Sequence, residues 1–258
     1  MDTFEVPLHP LLVFFVVLSR VGGLVTFAPF WSSKAVTAKV RVILAFVLAI
    51  ALTPAVMPRI PTPPDSFWAL LPVMFGELVI GMILGFVGKL VFTGFELAAH
   101  LLSSQMGFSL AGIIDPSTQA HTTAFGTIAQ MFAMMILLAA NGHHWFLAAT
   151  VKSFSTTVPG SFALTYELLD LLIRFSADAL VVGVTLAAPA IIVLLAVEFA
   201  LEVFGRTAPQ FQVFILGFPL KIGVGLWLIG ASLYFLPAAV RDVLGGIHEG
   251  LIKVLSLI

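Results

Sequence analysis

The sequence predicts an all-α, multi-helix membrane protein in which some helices are broken and others pair as hairpins. Three observations carry that class. Of 258 residues, 60% are hydrophobic and only 10% charged, whereas soluble domains are roughly 45–50% apolar and about 25% charged. The apolar residues gather into about six long blocks, several near the roughly 20 residues that a helix needs to cross a hydrocarbon core. Between two of them, Ser103 to Gln119 reads SSQMGFSLAGIIDPSTQ, which is neither a good helix nor an ordinary polar loop.

Charge and cysteine usage exclude other classes. A net charge of −1 and a pI near 6.6 supply no basic footprint for nucleic acid. With no cysteine in the chain, disulfides, thiolate metal sites and cysteine nucleophiles are all ruled out.

Met1 to Val6 holds Asp2 and Glu5 but no Lys or Arg, so the positive flank of a cleavable signal peptide is missing and the first apolar block is expected to be retained. That block, Leu8 to Phe30, contains Arg20 beside Gly22 and Gly23. The charge either snorkels to an interface or finds a partner inside the protein. Trp31 to Arg41 follows with Lys34, Lys39 and Arg41, the densest positive cluster, which the positive-inside rule would turn to the cytoplasm. Other loops carry comparable charge, so that rule does not fix the orientation.

Val42 to Met57 is a short apolar block, ended by Pro58, Pro61, Pro63 and Pro64, which force an extended connection. The third block, Phe67 to Phe92, holds Glu77 and Lys89, with Gly81 and Gly85 at the small-xxx-small spacing of closely approaching helices.

In the central stretch Gly107 and Gly112 loosen the backbone and Asp115-Pro116 breaks a helix, yet Phe108, Leu110, Ile113 and Ile114 keep it apolar. Irregular backbone at membrane depth survives only where protein or a water-filled cavity surrounds it. The stretch therefore reads as a pore or cavity element, or as a packed re-entrant turn.

Ala124 to Val151 is interrupted by Asn141-Gly-His-His144, a turn near one membrane face. His143 and His144 invite a metal, but adjacent residues point to different sides of a helix. Interfacial anchoring beside Trp145 is the better reading.

After the Ser/Thr-rich Lys152 to Tyr166, the run from Leu168 to Phe204 carries Arg174 and Asp178, four apart and able to pair. Glu198, Glu202 and Arg206 then recur every four residues, a charged stripe that should face protein or water. Gln210 to Leu236 returns with Pro219 and Lys221. Glu198 and Lys221 stand about equally far from Pro209, so an antiparallel hairpin would set them level. From Val240 to Ile258 the apolar residues keep helical spacing with charges opposite. This amphipathic terminal helix is expected to dock on a partner protein or to lie among headgroups.

Six simple spans is the default. There is no phosphate-binding Gly-rich loop, nucleophile elbow or HExxH, so neither an enzyme nor a cofactor is expected.

Three stretches add a resemblance: Ser103 to Gln119, FGRTAPQFQVFILGFPLKI from Phe204 to Ile222, and SRVGGLVTFAPFWSSKAVTAKVRV from Ser19 to Val42. Together they resemble the FliR family of flagellar type III export-gate proteins and its virulence counterparts. The resemblance implies a non-enzymatic, channel-forming subunit of the bacterial inner membrane and flagellar basal body, with much of the assembly on the periplasmic side. It implies one copy closing a helical ring with FliP and FliQ, joined by FlhB and FlhA, with unfolded substrates passing through and membrane lipid around. It further implies a FliP-like portion over 1–167, a FliQ-like hairpin over 168–240 and the amphipathic helix over 241–258.

Through the same resemblance residues 105–119 match a loop that plugs the closed channel, with Met106, Gly107, Phe108, Leu110, Gly112, Ile113 and Ile114 as the plug. Glu198, Glu202, Arg206 and Lys221 are expected at subunit contacts rather than in a proton relay, because they include both signs. A stand-alone secondary transporter with a midplane site at the broken helices is the alternative. A lipid-modifying enzyme using His143, His144, Glu198 or Asp115 ranks third.

Overall fold

The computed structural model describes residues 8–33, 36–61, 64, 66–108, 124–207, 213–232 and 236–258. Among these the chain is helical and contains no strand. The helices are α1 (Leu8–Phe27), α2 (Ala38–Val56, followed by the 3₁₀ turn Met57–Arg59), α3 (Phe67–Gln105), α4 (Ala124–Ala139), α5 (Gly142–Thr156), α6 (Tyr166–Thr207), α7 (Val213–Ser232) and α8 (Leu236–Leu255). Each of the six apolar blocks is mainly helical over its described residues. Among the described residues four helices are long and apolar enough to cross a membrane, or five if the broken pair α4 and α5 is one span.

The break at Asn141 is physical. Asn141 takes φ 54°, the left-handed conformation, which asparagine tolerates better than most residues and which stops the helical ladder. In contrast, α3 runs on past Phe92 to Gln105. At 39 and 42 residues α3 and α6 correspond to roughly 60 Å of helix each at about 1.5 Å per residue, twice a core of roughly 30 Å.

Two compact units divide the chain: Met1–Leu90, Leu138–Phe175 and Leu244–Ile258 form the first, and Val91–Leu137 with Ser176–Val243 the second. In the first unit, α1 buries Val13, Val16, Val17, Arg20, Val21 and Leu24, the i, i+3, i+4 pattern of one helix face. That face meets α3 at backbone range. A Cβ on Gly23 would lie 2.2 Å from the Leu78 carbonyl oxygen, and one on Gly81 would lie 1.9 Å from that of Arg20. The glycine spacing is therefore a real crossing, extended by Gly85 against Ala28. On its other side α1 packs on α2 through Phe14 and Phe46, edge to face at 5.2 Å.

Arg41, part of the positive cluster, organises the first connection. Its guanidinium donates to the carbonyls of Trp31, Ser32, Ser33 and Val36 at 3.0–3.2 Å. The terminal helix α8 docks on its own chain through one face. Ile247, Leu251, Val254 and Leu255 are buried, and the Gly250 position faces Val87 of α3 and Phe175 of α6.

In the second unit α3 and α6 again meet through glycine. The Gly94 position faces the Ala179 carbonyl, and the Gly183 position faces that of Gly94, at 2.9 and 2.8 Å from a built Cβ. Gln130 of α4 donates to Glu96 of α3. On the part of α6 that belongs to the first unit, Arg174 pairs with Asp170 at 2.7 Å rather than with Asp178, which follows the better order at i, i+4, acid before base. Outward faces stay apolar: only 17% of the most apolar window of α2 or α6 is buried, against 44% for α1 and α3.

Gly22 and Gly23 offer an internal control for the α1–α3 crossing, because a Cβ at Gly22 meets nothing within 4 Å. Gly23→Ala should cost about 1–3 kcal/mol through overpacking, whereas Gly22→Ala should be neutral or stabilising by up to about 1 kcal/mol. Unfolding of the detergent-solubilised chain in mixed micelles checks the difference.

Candidate functional site

The second unit holds the start of the candidate plug. Helix α3 ends in a two-bond cap: the Phe108 N–H donates to the Ser103 carbonyl at 3.0 Å and the Gly107 N–H to that of Ser104 at 3.1 Å. That 6→1 and 5→2 pairing is the Schellman motif, which requires a left-handed residue at its penultimate position. Gly107 supplies it with φ 88°.

The stem is held by α7. Met106 is fully buried, and a Cβ on Gly225 of α7 would lie 2.6 Å from the Met106 Cγ and 2.7 Å from its sulfur. One residue on, a Cβ on Gly107 would lie 2.5 Å from the Phe218 ring. Glycine at 107 is thus demanded twice, by backbone angle and by space. Phe108 follows, 38% exposed. Leu110, Gly112, Ile113 and Ile114 lie outside the described residues, as does Asp115.

The charged stripe lies on α6 of the same unit. Lys221 Nζ of α7 donates to Glu198 Oε1 at 2.6 Å, the level pairing that the hairpin register predicts. Glu202 and Arg206 are exposed, among the exposed apolar side chains Phe199, Val203 and Phe204. The stripe therefore has one member neutralised within the chain and two directed outward.

The first unit contains a polar centre whose pairing the sequence did not reveal. Arg20 does not snorkel; it is fully buried. Its Nε and Nη2 lie 2.6 and 2.5 Å from Glu77 Oε2 of α3, and its Nη1 donates to Ser153 Oγ of α5 at 2.7 Å. The Phe154 ring covers the guanidinium at 3.8 Å. Both charges were visible in the sequence. A signal was also present: Arg20 precedes Gly23 by one turn and Glu77 precedes Gly81 by one turn, so a crossing at the glycines sets the charges together.

His143 and His144 have ring centroids 4.2 Å apart, and Trp145 contacts His248 at 5.8 Å. Among the described residues no group of three or more His, Asp or Glu is placed to hold a metal ion.

Residues 11–247 match the family described as bacterial export proteins, family 1. The chain is 32% identical to the flagellar biosynthetic protein FliR of Escherichia coli (strain K12), over 85% of this chain and 83% of that one. The chain belongs to the FliR family. It is also 32% identical to FliR of Caulobacter vibrioides, over 84% of this chain and 86% of the relative. To FliR of Bacillus subtilis (strain 168) it is 29% identical over 95% of each. The matched span takes in the α1–α3 polar centre, the α3 cap and the α6–α7 pair.

The polar centre yields a prediction. Removing one partner of a buried ion pair leaves an uncompensated charge, at a cost of about 3–5 kcal/mol, whereas an apolar pair of similar volume is often neutral. Glu77→Leu should destabilise the chain by about that amount, and the double variant Arg20→Met/Glu77→Leu should recover most of it, as measured by unfolding in mixed micelles.

Proposed function

We propose that the chain is a channel-forming subunit of the flagellar type III protein export gate. In this reading it is a single copy closing a helical ring with FliP and FliQ, with FlhB and FlhA in the same inner-membrane apparatus. Unfolded flagellar substrates pass through the ring, and much of it stands on the periplasmic side. Residues 105–119 plug the closed channel.

The stem of the loop is the observation that carries the plug reading. A long apolar helix ends in a glycine-dependent cap, anchored on α7 through Met106, and hands on an apolar sequence with no charge before Asp115. Apolar side chains filling a narrow lumen would exclude water and ions, because a dry constriction is a barrier to both. Membership of the FliR family supports the export assignment. The lengths of α3 and α6 support a channel that extends beyond the bilayer, and the apolar outer faces of α2 and α6 suit neighbouring subunits as well as lipid.

Glu202 and Arg206 fit a subunit contact. Two opposite charges on an apolar outer face are costly against lipid and inexpensive against a complementary protein surface. Glu198 and Lys221 brace the hairpin that presents them. The 168–240 hairpin is the FliQ-like part of the chain in this reading, and 1–167 the FliP-like part.

Deleting Gly107 to Ile114 should leave assembly intact and raise ion conductance of membranes carrying the assembled gate; unchanged conductance in an assembled complex would overturn the plug. Glu202→Ala and Arg206→Ala should lower recovery of the intact complex before they alter transport energetics. Full complex yield with lost export would count against the contact reading, and both quantities follow from affinity purification paired with an export assay.

A further inference from the structure

Helix α5 has two unlike faces. Phe146, Ala149, Thr150, Ser153 and Phe154 are buried, and Ser153 and Phe154 close the Arg20 centre. On the other face His144, Leu147, Val151, Lys152 and Ser155 line an open cleft of about 570 Å³, completed by Arg59 from the turn after α2. His144, Lys152 and Arg59 are all exposed. Among the described residues neither Arg59 nor Lys152 is ion-paired, and no carboxylate lines the cleft.

Two fixed positive charges and an imidazole over an apolar floor select a ligand that is anionic at one end and hydrocarbon at the other. The position narrows the choice. Arg59 closes the candidate span Ala38–Arg59, and the next span begins at Trp68, which is 78% exposed. Taken as consecutive spans, these two helices put their short connection at a boundary of the hydrocarbon layer, where tryptophan and arginine sit and where lipid phosphates lie. A free anion would gain nothing from Leu147 and Val151; a phospholipid would lay the start of an acyl chain along them.

We propose that this cleft binds the headgroup phosphate of an anionic phospholipid, with Arg59 and Lys152 as its charge partners and the Leu147–Val151 strip under the first methylenes. None of the residues lining the cleft belongs to the plug or to the charged stripe.

The test uses the full-length chain in mild detergent, offered phosphatidylglycerol or phosphatidylcholine, with retained lipid counted by native mass spectrometry. Phosphatidylglycerol should be retained in preference, and Arg59→Gln and Lys152→Gln should each weaken retention about fivefold, in line with the contribution of a basic residue at an anionic surface. Lys39→Gln, at the other end of α2, controls for general basicity and should change nothing. Equal retention of the two lipids, or unchanged retention in the double variant, overturns the proposal. So does displacement of the lipid by equimolar inorganic phosphate, which would mark a simple anion site. A photocrosslinker at Ser155 in native membranes should capture lipid; capture of protein alone would make the face a subunit interface and overturn the proposal as well.

Discussion

The contact between Arg20 and Glu77 is the constraint from which the first unit follows. A guanidinium and a carboxylate so deep in apolar surroundings are tolerable only if each is met at hydrogen-bond distance from the outset. That demands that α1 and α3 approach until their backbones touch, which is why Gly23, Gly81 and Gly85 form the crossing. It also demands a third wall, and α5 supplies it with Ser153 beneath and Phe154 across. The order of α1, α3 and α5 is thus dictated by one charge, while apolar packing, which is less directional, fills in around it.

How much of this could be read beforehand depended on the range over which each partner is specified. The Glu198–Lys221 pair was legible because few residues join the two helices that carry it, so counting outward from Pro209 finds the partner. The Arg20–Glu77 pair was not, because 57 residues separate them and no turn sets the crossing of their helices. Both residues stood out individually, but their encounter depends on glycine spacing in two helices at once. Arg174 had carboxylates four residues to either side, and the structure uses the earlier one, the order that helical side-chain direction favours.

The terminal helix shows the same boundary between pattern and destination. Its amphipathic spacing announced a surface to be covered without naming the cover, and the cover is the protein's own α3 and α6. The break between α4 and α5 was announced by Asn141-Gly142. The continuation of α3 to Gln105 was not, because Thr93 to Ser104 mixes polar and apolar residues and loses the signal of a simple span. The proposed plug is different again: the family likeness, rather than periodicity, points to it, and of residues 105–119 only the first four, at the α3 cap, are among the described residues.

The Schellman cap at Gly107 carries a consequence for the direction of the chain. Its two hydrogen bonds tie Gly107 and Phe108 back to Ser104 and Ser103, and the left-handed angle at Gly107 turns the backbone away from the helix axis. The Phe218 ring of α7 closes on that glycine, so a side chain at 107 would meet both a strained angle and a filled space. The bearing on which the chain leaves α3 is thus set at the helix end.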